Sequence, residues 1–66
     1  MEKYEEVGAR LSTHLRGLGI KHRVSNTDTF MYIYVGNDAD KAKCPHIFEN
    51  FNVITRVVDP KRLPRQ

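Results

Sequence analysis

The sequence predicts an α+β domain with the order α-β-β-α-β, in which two helices pack on one face of a three-stranded mixed sheet. Two observations carry this prediction. Residues 29–35 are all β-branched, aromatic or Met and lie between turn-forming residues, which is typical of a strand. Residues 2–18 instead place apolar side chains three or four positions apart, which is the spacing of one helix face.

The first helix is predicted over residues 2–18. Its apolar stripe consists of Tyr4, Val7, Leu11, Leu15 and Leu18. Acidic residues lie in its first turns and basic residues in its later turns, which suits the helix dipole. Gly8 falls inside the stripe, where glycine costs about 1 kcal/mol relative to alanine. We therefore expect this helix to approach its neighbour closely at Gly8.

Residues 20–25 and 29–35 are predicted to form an antiparallel hairpin, and the charged side chains of the first strand are typical of a sheet edge. Side chains alternate across a strand. One face of the second strand then carries Phe30, Tyr32 and Tyr34. The opposite face carries Met31, Ile33 and Val35. Two apolar faces favour a central position in the sheet. In the alternative arrangement the last strand lies beside residues 20–25 and leaves residues 29–35 at an edge.

The second half of the chain predicts one more helix and one more strand. Residues 39–43 suit a short first turn, and Pro45 then interrupts the helix because proline removes a backbone donor. We expect the helix to resume and to continue to about residue 50. Residues 53–58 form the last strand, which a helical crossover places parallel to the central strand.

The chain is expected to divide into one compact domain, residues 1–58, and a basic, proline-containing tail, residues 59–66, in an extended conformation. The tail contributes three of the eleven basic residues, namely Lys61, Arg62 and Arg65. Without them the body is nearly neutral, although the whole chain has a formal net charge of +3. The net charge is therefore weak evidence for nucleic-acid binding.

Length and cysteine content restrict the class of protein further. A chain of 66 residues builds a small core, so self-association, for example as a homodimer, would help it. A single cysteine excludes an internal disulfide and fits a reducing compartment. The sequence has neither an apolar run of membrane-spanning length nor a signal-peptide pattern, and we expect a cytoplasmic protein with no membrane partner.

The aromatic face of the central strand is the best candidate binding surface. If it points away from the helices, basic side chains of the neighbouring strands flank its rings. The predicted binding residues are Phe30, Tyr32, Tyr34, Lys21, Arg23 and Arg56. Alternatively, these aromatic residues only pair across strands, because such residues suit strands in general.

Two functions are compatible with such a surface. In the first, the chain is a small protein-interaction module, of inhibitor or adaptor type, that docks this face on a protein partner or on a second copy. In the second, it binds single-stranded nucleic acid: the three rings stack bases, while Lys21, Arg23, Arg56 and the basic tail contact phosphates. The small net charge places protein interaction slightly ahead.

The Cys-Pro-His segment at residues 44–46 suggests a metal site or a reactive thiol. However, Cys44 shares the helical spacing of the apolar residues Ile47, Phe48 and Phe51, and unpaired cysteine is among the most buried residue types. We therefore expect Cys44 to pack in the core. A zinc site needs about four suitably spaced ligands, so neither a metal nor a cofactor is expected.

Catalysis has little support in the sequence. His22 lies between Ile20 and Val24 on the presumed core side of its strand, where a hydrogen-bonded, half-buried imidazole is expected. No set of nucleophile, base and orienting group can be placed, and no glycine-rich loop suits a phosphate. We expect a protein that binds and is not an enzyme.

Overall fold

The computed structural model describes residues 4–27 and 30–63. The elements are α1 (Tyr4–Gly17), β1 (His22–Asn26), β2 (Met31–Val35), α2 (Asp38–Lys43), β3 (Ile47–Phe48), β4 (Phe51–Val57) and a 3₁₀ helix (Pro60–Arg62). The predicted α+β class is confirmed. The sheet, however, has four strands where the sequence predicted three. The predicted helix and strand positions 2, 3 and 29 lie outside the described residues.

Helix α1 packs directly on the sheet through the predicted stripe. Val7, Leu11 and Leu15 are fully buried, whereas the side chain of Tyr4 lies outside what the structure describes. A Cβ atom on Gly8 would lie 3.6 Å from Val24 Cγ1 and 3.8 Å from Met31 Cε. The close approach expected at Gly8 is therefore confirmed.

The end of α1 corrects one member of the stripe, because Leu18 is 47% exposed. Gly19 adopts a positive φ of 74° and ends the helix. Its N–H donates to Arg16 O at 2.9 Å, and Ile20 N–H donates to Leu15 O at 3.0 Å. This pair of bonds is the Schellman motif. It turns the chain so that Ile20, and not Leu18, enters the core.

The strand order is β1-β2-β4-β3, with β2 between β1 and β4. Strand β2 is antiparallel to β1 and parallel to β4, as predicted. The alternative with residues 29–35 at an edge is therefore wrong. On the helix side, Met31, Ile33 and Val35 are fully buried.

The predicted helix up to residue 50 is wrong. Helix α2 ends at Lys43, and Pro45 follows its C-cap residue Cys44, where a proline cannot continue the helix. The chain then forms a short hairpin in which β3 pairs with the start of β4. Glu49 and Asn50 connect these strands with φ values of 48° and 71°. Two positive φ angles are what a type I′ hairpin turn requires.

The segment after β4 folds back on the sheet. Pro60–Arg62 forms a 3₁₀ helix whose first N–H groups are capped by Asp59, which accepts from Lys61 N at 3.0 Å. Leu63 is only 7% exposed. The expected extended conformation is therefore wrong for this part of the tail. The domain boundary after residue 58 stays a prediction, and residues 64–66 lie outside the described residues.

Within residues 4–27 and 30–63, no helix has the length and apolarity needed to cross a membrane.

Candidate ligand-binding face of the sheet

The sheet face opposite α1 is built around Tyr32 and Tyr34. Residues directly opposite each other on neighbouring strands point to the same face. One cross-strand row is Arg23, Tyr34 and Arg56, and the next row is Ser25, Tyr32 and Ile54. We refer to these six residues as the tyrosine face.

The two tyrosine rings stand side by side on this face. Their centroids are 6.4 Å apart, and their planes differ by only 14°. Both side chains are half-buried, so the rings are supported by their neighbours and remain accessible. The guanidinium carbon of Arg56 lies 6.0 Å from the centroid of the Tyr32 ring, which is at the outer limit of a cation–π contact. The geometry places flat aromatic surface next to fixed positive charge.

The structure does not bring all six predicted binding residues together. Tyr32, Tyr34, Arg23 and Arg56 meet on the tyrosine face, but Phe30 and Lys21 each precede a strand. Because β1 and β2 are antiparallel, these two residues lie at opposite ends of the face. Phe30 is half-buried and Lys21 is exposed.

The tyrosine face contains no carboxylate. The acidic side chains among the described residues lie elsewhere: Glu5 and Glu6 in α1, Asp38 and Asp40 in α2, Glu49 in the β3–β4 turn, and Asp59 before the 3₁₀ helix. Two arginines therefore act on a surface without an internal counter-charge. Such a face attracts anions more strongly than the small net charge of the chain indicates.

The folded-back tail adds a concavity at one end of this face, which we call the tail groove. It has a volume of about 260 Å³ and is lined by Arg23, Ser25, Tyr34, Val58, Arg62 and Leu63. Sequence reasoning included Arg62 only as part of a basic, extended tail and missed the turn that brings it beside Tyr34. The available signals were Asp59-Pro60, which suits the start of a helical turn, and Leu63 as the apolar residue of the tail.

A second concavity, of about 530 Å³, lies between α2 and β4. Its lining residues are Asp38, Lys41, Ala42, His46, Val53, Ile54 and Thr55. Across the described parts of the chain, no group of three or more His, Cys, Asp or Glu side chains is arranged to hold a metal ion. This concavity mixes one acid, one base and apolar atoms and does not define a ligand class.

Cys44 is buried in the core, which confirms the packing expected from its spacing. Its thiol donates a hydrogen bond to Asp40 O at 3.3 Å. Burial raises the pKa of Cys44, and a hydrogen bond with Thr55 opposes that rise. The thiol therefore stays protonated at neutral pH, and a protonated thiol is a poor nucleophile.

His22 is more deeply buried than expected, at 2% exposure. Its Nδ1 atom lies 2.8 Å from Ile20 O, and its Nε2 atom lies 2.8 Å from Ser12 Oγ. Because a carbonyl oxygen only accepts, Nδ1 carries the proton in this contact. The Ser–His pair has the separation of a nucleophile and its base, but the imidazole is closed off from solvent. We interpret the pair as a link between α1 and β1.

Comparison with family models, with curated proteins and with solved structures gave no match. The functional argument therefore depends on the geometry and charge of the tyrosine face.

Proposed function

We propose that the protein binds single-stranded nucleic acid on the tyrosine face. The observation that carries this proposal is the cross-strand row Arg23–Tyr34–Arg56, in which a ring lies between two cations. Bases without a pairing partner stack on aromatic side chains, while nearby basic residues neutralise the phosphates.

The spacing of this row supports the proposal. Neighbouring strands lie about 4.8 Å apart, so the Cα atoms of Arg23 and Arg56 are separated by roughly two such spacings. The two arginines therefore flank a base that stacks on Tyr34, and each can reach a phosphate of a nucleic-acid strand that runs along β2. The second ring, Tyr32, extends the platform along β2 in a nearly parallel plane.

Docking of a protein on this same face has less support. Among the residues whose burial the structure describes, the large exposed apolar ones are Leu18, Ile47 and Val57. None of the three belongs to the tyrosine face, because Val57 is paired with the core residue Val35. A protein-docking surface normally has an apolar centre. The face instead offers half-buried phenol rings and arginines.

The protein-interaction function keeps one supporting observation of its own. Ile47 is 64% exposed and lies on β3, which is an edge strand of the sheet. An exposed apolar side chain on an edge suits contact with a protein partner or with a second copy. The two functions thus use different surfaces, which makes them separable by mutation.

The proposal includes a role without catalysis and a cytoplasmic location. Cys44 is a buried, protonated thiol, and His22 is enclosed between α1 and β1, so neither is presented to a substrate. The free thiol of Cys44 fits a reducing compartment.

The test is an NMR titration with a mixed-sequence single-stranded oligonucleotide at low and at high salt. We expect amide shifts at Arg23, Tyr32, Tyr34 and Arg56, with α1 unaffected. The affinity should fall steeply as salt rises, because phosphate binding releases counterions. Absence of shifts at low salt, or a response spread over α1, would contradict the proposal.

Matched variants sharpen this experiment. Arg56→Gln removes one charge from the tyrosine face, and Arg16→Gln removes one charge from the last turn of α1 on the opposite side of the sheet. We expect only Arg56→Gln to weaken binding strongly. Tyr34→Ala should weaken binding by about 1–3 kcal/mol, the contribution of one stacked base. Equal effects of the two arginine variants would mean that binding follows net charge alone.

A further inference from the structure

The tyrosine face is closed at one end by the tail. Gly36 directly follows β2 and lies two positions after Tyr34. A Cβ atom there would lie 3.1 Å from Pro60 Cγ, 3.3 Å from Pro60 Cβ and 3.5 Å from Leu63 Cδ1. Tail atoms thus cover the sheet directly above Gly36.

The tail groove lies next to these tail atoms, on the side of Tyr34. It places the guanidinium groups of Arg23 and Arg62 on one concavity together with the hydroxyl groups of Ser25 and Tyr34. Among the described residues, no carboxylate lines it. The nearest acid in sequence, Asp59, accepts a hydrogen bond from the backbone of Lys61. The groove therefore combines two positive charges with neutral hydrogen-bonding groups.

Neither guanidinium group is neutralised within the described residues. An arginine that does form an ion pair is Arg10, which pairs with Glu49 away from the groove, on α1 and the β3–β4 turn. Arginine forms bidentate, charge-assisted hydrogen bonds with phosphate oxygens, and its planar shape matches them. Two arginines on one concavity thus suit a compact anion with several oxygens.

We infer that the tail groove binds a terminal phosphate of the nucleic-acid strand. This inference rests on the proposed function and extends it from any strand to a strand end. A strand that passes along β2 over Tyr32 and Tyr34 meets Pro60 and Leu63, which pack over Gly36 at that end of the face. The last base then stacks on Tyr34, and the phosphate that follows it enters the groove.

The charge of the ligand supports a terminal phosphate over an internal one. A phosphate monoester carries a charge of about −1.5 to −2 at pH 7 and has three strong acceptor oxygens. An internal phosphodiester carries a single charge and leads on to another nucleotide. The two arginines of the groove match the larger charge. Pro60 and Leu63 lie where the next nucleotide would follow along β2.

The experiment compares three oligonucleotides of one sequence, with a 5′-phosphate, with a 3′-phosphate or with hydroxyl groups at both ends. Each competes, unlabelled, with an internally labelled strand for the full-length protein at constant salt. We expect one of the two phosphorylated strands to bind about tenfold more tightly than the hydroxyl-ended strand, the effect of one charge-assisted contact. The phosphorylated oligonucleotide that binds more tightly shows whether the 5′ or the 3′ end lies in the groove.

Two variants locate the effect. Arg62→Gln should abolish the preference for the phosphorylated end while leaving the hydroxyl-ended strand bound. Arg56 lies outside the groove. Arg56→Gln should therefore weaken the binding of all three oligonucleotides and leave the ratio of their affinities unchanged. A preference that survives Arg62→Gln overturns the inference.

The remaining outcomes separate the inference from the proposed function. If all three strands bind tightly and equally, the terminal-phosphate inference is wrong and the proposed function stands. If none of the three binds at low salt, both are wrong.

Discussion

The two faces of strand β2 differ in how they are used. On the helix side, Met31, Ile33 and Val35 are completely covered by the rest of the chain. On the other side, Tyr32 and Tyr34 are half-buried and have arginine neighbours. Consecutive residues of one strand therefore differ in burial, and we expect the buried side to determine stability and the tyrosine side to determine ligand affinity. Substitutions on the two faces should consequently affect different measurements.

The largest effect is expected on the helix side. Ile33→Ala deletes fully buried carbon atoms and should cost about 2–5 kcal/mol. A domain of this size rarely has more than about 3–5 kcal/mol of net stability, so this variant should be largely unfolded. Ile33→Val should remain folded and lose about 0.5–1.5 kcal/mol. Urea denaturation measures the loss in Ile33→Val, and circular dichroism without urea shows whether Ile33→Ala is folded.

The matched substitution on the other face is Tyr32→Ala. Because the ring is half-buried, its removal leaves no closed cavity, and the loss of stability should be smaller than for Ile33→Ala. Its main effect should be on nucleic-acid affinity. If Tyr32→Ala and Ile33→Ala destabilise the protein equally, the two faces of β2 do not differ in their contribution to stability, and the comparison is wrong.

A pair of serines allows the next test. Ser12 is bonded to the buried His22 on the helix side, and Ser25 lies exposed on the tyrosine face. Ser12→Ala removes the hydroxyl that faces Nε2 in a site closed to water, which should cost about 1–3 kcal/mol. Ser25→Ala should change the free energy of unfolding by less than about 0.5 kcal/mol. The reverse order would show that the Ser12–His22 link does not stabilise the fold.

A glycine pair tests whether the tail belongs to the tyrosine face. In Gly36→Ala the new methyl group would press on Pro60 and displace the 3₁₀ helix. The cost should be roughly 1 kcal/mol, a fraction of the value for fully burying a leucine such as Leu63. Amide exchange at Leu63 should accelerate, because its N–H then loses the contact with Pro60 O.

The control for this variant is Gly17→Ala, at the end of α1. A Cβ atom at Gly17 meets nothing within 4 Å, and alanine is the better helix former. This variant should be neutral or slightly stabilising and should leave exchange at Leu63 unchanged. Unaltered exchange at Leu63 in Gly36→Ala would mean that the tail does not depend on this contact.

Patterns within a few consecutive residues were sufficient to predict the central strand and the point at which α1 packs closely. The alternation in residues 29–35 predicted both the central strand and the side on which its tyrosines lie. The position of Gly8 predicted where α1 comes close to a neighbouring element, and the structure shows that this element is the sheet. Both signals depend on residues that are close in the chain.

The parts that were missed depend on distant contacts. Ile47, Phe48 and Phe51 have the spacing of a helix face, and the turn between them has no glycine to indicate a hairpin. Glu49 takes up a positive φ, which is uncommon outside glycine, asparagine and aspartate. Its partner is Arg10, 39 residues away in the chain. Arg62 likewise reaches the site only because the tail folds back over Gly36.

The ion pair of Arg10 with Glu49 gives the helix side a pH dependence. Arg10 donates from Nε to Glu49 Oε2 at 2.7 Å and from Nη2 to Glu49 Oε1 at 2.8 Å. These bonds lower the pKa of Glu49 below its usual value. The pair therefore stabilises the fold fully above the usual glutamate pKa, and this contribution is lost as the pH falls through the lowered pKa.

Glu49→Gln and Arg10→Gln should each reduce the loss of stability between neutral and acidic pH, and the double variant should reduce it no further. Denaturation curves measured across this pH range provide the test. Because both side chains are largely solvent-exposed, the effect should be small and should shrink at high salt. The tyrosine face has no carboxylate, so neither substitution should alter nucleic-acid binding at neutral pH. Additive effects in the double variant would show that the two side chains act independently and do not join α1 to the β3–β4 turn.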